Sequence, residues 1–237
     1  MEQSYNRHTK NGGVFNMMYE THQQVGKNFY LVSIPFMIQF GVFPNIIELI
    51  QEGASAGDIV TAGVTLVAGL YVGYKGSQFG AGFPDLDLKG SVPDKKNPLL
   101  GKIIRGCGAT HRGKFSHSLD SQTIFWFIVY MLGIHGLNRL SLNDLGVISN
   151  WLAFDGFINN LLKIWVISAY VGVVSHLFAD LPTGGGIRIF SFQKPIKMKW
   201  KFFRTGNDST WERFYRKTAK ILTPICAVVS VYLYVKG

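Results

Sequence analysis

Five apolar runs constrain this chain more than any other feature: residues 29–51, 59–74, 124–137, 157–181 and 221–235. A helix rises 1.5 Å per residue, so roughly 20 apolar residues cross a hydrocarbon core of about 30 Å. The first and fourth runs have that length. The second reaches it by extension through Gly76 to Phe83, the third with its flanks, and the fifth is somewhat short and contains Pro224. Pro35 and Pro44 in the first run predict kinks, which are tolerable in lipid only where neighbouring helices, side chains or water satisfy the freed carbonyls. Gly, Ala and Thr are frequent in the second run, and small residues let helices approach closely. The expectation is an all-α fold, a polytopic integral membrane helical bundle of about four to five spans.

Composition agrees. Charged residues make up 16% of the chain and hydrophobic residues 47%, against about 25% charged in a soluble domain. The net charge of +10 therefore reads first as a cytoplasmic-face signal touching anionic lipid headgroups, and nucleic acid is the disfavoured partner. Cys107 and Cys226 are far apart and form no C-x2-C pair, so neither a zinc ribbon nor a disulfide framework is expected. Residues 1–28 form a polar leader without the short apolar stretch of a cleavable signal, so insertion should rely on an internal span. The whole of 1–237 reads as a single membrane-embedded domain with two basic loops, 88–120 and 182–217. Oligomeric state is not legible.

Reactive side chains cluster beside the runs. Thr110–Ser118 reads T-H-R-G-K-F-S-H-S, placing His111 and His117 six residues apart with Arg112 between them. Imidazole is the commonest transition-metal ligand, and a guanidinium fork suits phosphate or carboxylate. An isolated H-x5-H is more often a solvated loop, so the metal reading depends on the rest of the chain. His22 stands just before the first run, Asp85 and Asp87 just after the second, and His176 and Asp180 close the fourth. Four residues apart on a helix, the last two share a face and can share an ion. His8 lies in the leader, and His135 has no carboxylate or histidine near it in sequence.

Lys and Arg number three in the leader, none in the turn after the first run, eight from Lys75 to Lys114, one (Arg139) in the next connection and nine from Arg188 to Lys217. The positive-inside rule places the leader and both basic loops in the cytoplasm. That orientation, derived without histidine, puts His22, Asp85, Asp87, His111, His117, His176 and Asp180 at the cytoplasmic ends of the spans and His135 at the other end. Seven candidate ligands exceed the four protein groups of a closed zinc site and fit two or three ions bridged by water. Lys194 to Arg204, interleaved with aromatics, reads as an interfacial segment on lipid headgroups.

The order H, P-D-L-D, T-H-R-G-K-F-S-H-S, S-H-L-F-A-D, T-G-G-G resembles the YdjM-like membrane-bound metal-dependent hydrolases, which are themselves distantly similar to zinc-dependent phospholipases C. The resemblance runs from His22 to about Gly186 and implies a multi-pass inner-membrane hydrolase. It also implies a divalent metal cofactor, two or more zinc ions, held by the seven residues above. A phosphoester of a phospholipid or lipid-linked phosphate is the expected substrate. Arg112 would hold phosphoryl oxygens, Asp87 would act as base or as a histidine's partner, and Ser118 joins them as a catalytic candidate. The rival expectation is a non-enzymatic membrane protein with a structural or transport metal site. Such a transporter would place its ionisable groups near mid-membrane rather than at span ends.

Overall fold

In the computed structural model of the protein, residues 13–110, 113–139, 151–181, 186–196 and 210–236 are described. They form α1 (Gly13–Gln39), α2 (Ile46–Gln51), α3 (Ala56–Gly82), a 3-10 turn (Phe83–Asp87), α4 (Val92–Lys96), α5 (Pro98–Gly106), α6 (Leu119–Arg139), α7 (Trp151–Asp180) and α8 (Thr210–Lys236). No strand occurs among the described residues, only isolated bridges between Ser118 and Arg188 and between Ile187 and Ile196. Among the described residues, three helical stretches are long and apolar enough to cross a membrane: Ala56–Asp87, Gly156–Asp180 and Glu212–Lys236. Their outward residues, such as Val64, Val67, Val228 and Val231, are exposed, as lipid-facing side chains are.

The first apolar run, expected as one kinked span over 29–51, is not one helix. Only 29–39 continue α1, about 16 Å at helical rise. The chain then turns, with Gly41 at φ 68° and the Val42 N–H donating to the Met37 carbonyl at 2.7 Å. Pro44 then keeps Phe43 out of the helical region, and Asn45 caps α2 by accepting from the Glu48 N–H. Phe43, in the turn, is buried against α3. In the other direction α1 extends into the polar leader. There Gln24 donates to Thr223, Asn28 donates to the Ala219 carbonyl, and Arg216 pairs with Glu20 at 2.7 Å, all from α8.

The basic stretch 88–120, expected as a loop, contains α4 and α5. Ser91 caps α4 through the Asp94 N–H, and prolines occupy the first turns of both helices, where a missing N–H costs nothing. Arg105 braces them against the 3-10 turn, donating to Asp94 Oδ1 and to the Leu86 carbonyl, each at 2.8 Å. Burial alone would raise the Asp94 carboxyl, but the Gly90 N–H and Arg105 outweigh it and hold the group below its ordinary value. A carboxylate depressed in the fold contributes fully above its unfolded pKa and loses that contribution as pH falls through the folded one. Arg105→Met is therefore expected to cost about 1.5–3 kcal/mol at neutral pH. That loss should shrink below about pH 4, as read from melting curves of the two proteins in detergent.

The bundle's axis is the pairing of α3 with α7, and glycine makes it possible. A Cβ on Gly80 would lie 1.8 Å from the Ala169 carbonyl oxygen, one on Gly76 2.5 Å from that of Trp165, and one on Gly172 2.1 Å from that of Ser77. Backbones this close exclude any side chain. Gly26 of α1 enters the same crossing, where its carbonyl accepts from Ser77 Oγ at 2.9 Å. Gly26 is one turn from His22, Gly172 one turn from His176, and Gly80 precedes Asp85 by five residues. The crossing thus fixes three helices one turn away from all these groups. Phe83, Leu86, Trp126, Val173 and Leu177 fill the core beside it.

Candidate metal centre

Pro84 ends α3, and the 3-10 turn it opens sends the two aspartates of F-P-D-L-D in different directions. Asp85 faces His176, with Oδ1 3.9 Å from Nε2 and its side chain 20% exposed. Asp87 is buried and faces His117, with Oδ2 3.6 Å from Nδ1. On α7, His176 and Asp180 stack as their spacing requires, with Nε2 3.5 Å from Oδ2. Asp180 Oδ2 is also 3.4 Å from His117 Nε2, and its Oδ1 lies 3.6 Å from His22 Nε2. The His22 and His176 rings stack with centroids 3.8 Å apart. Two groups of potential ligands result, His22/His176/Asp180 and Asp85/His117/His176, joined through His176. Asp180 touches both through its two oxygens.

Hydrogen bonding fixes the histidine tautomers. The Ala81 carbonyl, in the last turn of α3 where carbonyls lack intrahelical donors, can only accept, so His176 Nδ1 carries the proton in their 2.8 Å contact. Its Nε2 therefore offers a lone pair. Ser116 Oγ donates to Asp87 Oδ2 at 2.5 Å, which leaves the Ser116 oxygen itself to accept from the His117 Nδ1–H at 3.1 Å. His117 Nε2 then also offers a lone pair. Such carboxylate and carbonyl partners are what orient metal-ligating imidazoles.

His117 Nε2 and His176 Nε2 thus lie 3.4 and 3.5 Å from the same Asp180 oxygen, an arrangement in which the three atoms could share a cation. The 3.4 and 3.5 Å spacings are close to the ligand-to-ligand edge of about 3.3 Å for a tetrahedron with bonds near 2.05 Å. His176 Nε2 and His22 Nδ1 are buried with no hydrogen-bond partner among the described residues. The donor set of imidazole nitrogens and carboxylate oxygens, with no thiol, fits zinc or another first-row divalent ion.

The structure brings together His22, Asp85, His117, His176 and Asp180, with Asp87 one layer behind. His111 and Arg112 lie outside the described residues, as does the side chain of His135. Ser118, named from sequence as a catalytic candidate, is engaged within the fold. Its hydroxyl donates to the Lys114 carbonyl, its backbone bridges Arg188, and its carbonyl accepts from the Gln122 N–H at the start of α6. The hydroxyl at the centre belongs to Ser116. Gln122, which sequence reasoning passed over, donates from Nε2 to the carbonyls of Phe115 and Ser116, pinning the turn that carries His117. The one available signal was a fully polar residue two positions before an apolar run.

Fold and site define a helical membrane protein with a buried histidine–aspartate cluster that could hold a metal ion. The sequence matches the family described as YdjM inner membrane protein over residues 51–237, and the chain belongs to that family. His22 lies before the matched region and joins the site through the fold. No curated protein and no solved structure matches the chain.

Proposed function

We propose that the protein is a metal-dependent hydrolase that cleaves a phosphoester of a phospholipid or lipid-linked phosphate at the cytoplasmic membrane surface, using two or more divalent ions, zinc foremost. The observation that carries this reading is the convergence of His117 Nε2, His176 Nε2 and Asp180 Oδ2 at 3.4–3.5 Å, beside an Asp85 that reaches solvent. When bound, divalent ions supply Lewis-acid polarisation of a phosphoryl oxygen and lower the pKa of water toward about 7. His22, His117, His176, Asp85 and Asp180 hold them, and His111 is the further ligand candidate. Asp87 acts through Ser116 on His117, as a positioning residue. Arg112, from its place between the two histidines in sequence, holds non-bridging phosphoryl oxygens through its planar fork. Asp85, at the rim, marks where substrate enters.

The alternative, a structural or transport metal site, draws support from the burial of His22, His176 and Asp180. Against it stands the gathering of the ligands at helix ends: the C-terminal ends of α3 and α7, the N-terminal end of α6 and the N-terminal half of α1. Two experiments test the proposal. Zinc-loaded protein in detergent should release phosphate or a phosphorylated headgroup from one member of a phospholipid and lipid-phosphate panel, stop on chelation and resume on zinc addition. Full metal occupancy without turnover of any panel member would favour the alternative. For orientation, reporters fused after Gly57 or near Asn143 should read as external, and those near Lys95 or Lys199 as cytoplasmic. Swapped signals would overturn the assigned face.

A further inference from the structure

A groove of about 730 Å³ runs between α1, α7 and α8, walled by residues such as Val32, Phe36, Val171, Val174, Leu222 and Cys226. Its polar lining groups are few, and Asn28 and Ser33 among them are engaged within the fold. Asn28 donates to the Ala219 carbonyl and accepts from Thr223, and Ser33 donates to the Tyr30 carbonyl. The groove's wall is therefore predominantly apolar. Phe36 and Leu222 at its edge are exposed on the lipid-facing side. Its other end lies at the level of the metal centre along the helices: Val25 is three residues from His22, Val174 two from His176, and Leu119 two from His117. Along a helix three residues span about 4.5 Å.

We propose that this groove holds one acyl chain of a membrane lipid phosphate whose phosphate group reaches the metal centre; this rests on the phosphoester reading above. In a bilayer the surroundings of such a groove are hydrocarbon chains. A chain lying here would place its headgroup at the end where cation-binding groups collect, so apolar wall and anion-seeking centre match the two halves of one molecule. The same continuity distinguishes the groove from the outer faces of α3 and α6, where Val64 and Phe127 are exposed to lipid with no metal-ligating group beside them.

The test uses the full chain, zinc-loaded, in nanodiscs containing a trace of phosphatidic acid with a photoreactive diazirine in its acyl chain. Labelling should concentrate on Val32, Val171 and Cys226, about tenfold above Val64 and Phe127, equivalent to about 1.4 kcal/mol of preference. Excess unlabelled phosphatidic acid should remove that excess, whereas diacylglycerol, which has the chains without the phosphate, should leave it. Val171→Trp, which fills the groove, should abolish it while metal content stays at the wild-type level. Uniform labelling of all lipid-facing positions, equal competition by diacylglycerol, or crosslinks joining two copies of the chain across the groove would each overturn the proposal. If competable labelling persists while no phosphoester is turned over, the groove stands and the hydrolase reading falls. Turnover accompanied by uniform labelling gives the reverse.

Discussion

His176→Ala is expected to lower metal affinity by at least about 100-fold and to abolish hydrolysis, because removing even an outer partner of a ligand costs about 10–100-fold. The residue belongs to both ligand groups, so its loss should empty the whole centre rather than one position. Asp180→Asn removes the negative charge that faces His22 through one oxygen and His117 and His176 through the other, and should come close to the alanine effect. Ser116→Ala should be milder, about 10–100-fold in affinity, since it breaks only the chain from Asp87 to His117 Nδ1. His135→Ala, from the opposite end of α6, is the control and should keep metal and activity. Metal per folded chain, measured by mass spectrometry on monodisperse protein, separates these outcomes. Full occupancy in His176→Ala with loss in His135→Ala would refute the assignment.

Gly80→Ala is expected to be the most damaging conservative change in the bundle. The new methyl would sit 1.8 Å from the Ala169 carbonyl oxygen, a backbone atom that cannot rotate away, so α3 and α7 must separate. Overpacking of ordinary side chains costs about 1–3 kcal/mol, and a backbone collision should lie at or above the top of that range. Separation would also carry Asp85 and the Ala81 carbonyl away from His176, so metal binding should fall with stability. Gly63→Ala, in the same helix but with nothing within 4 Å of the added carbon, should be neutral or stabilising by up to about 1 kcal/mol. Equal melting temperatures for the two variants would contradict the close crossing.

Sequence patterns disclosed the long helices and the residue types of the site because both are written in local spacing: apolar runs of spanning length, and the four-residue step from His176 to Asp180. The break at 40–45 was hidden, because Gly41 and Pro44 sit in an unbroken apolar run and a proline in lipid reads equally as kink or stop. The helical start of α1 was masked by polar residues, which make sense only once α8 lies against them. Roles within the cluster were not legible either. Asp85 and Asp87 are equivalent in sequence, and only the 3-10 turn sends one to the rim and the other behind His117. Ser116 and Ser118 flank His117 symmetrically, yet one meets Asp87 and the other the Lys114 carbonyl.

The central claim is that this cluster holds divalent ions through imidazole and carboxylate groups, and X-ray absorption at the metal edge of zinc-loaded, detergent-purified protein tests it most directly. Nitrogen and oxygen ligands at about 2.0–2.2 Å, imidazole scattering and no sulfur are expected, with a metal–metal distance of about 3.5–4 Å. A sulfur shell near about 2.3 Å, which would implicate Cys107 or Cys226, or a folded protein that retains no metal, would contradict it.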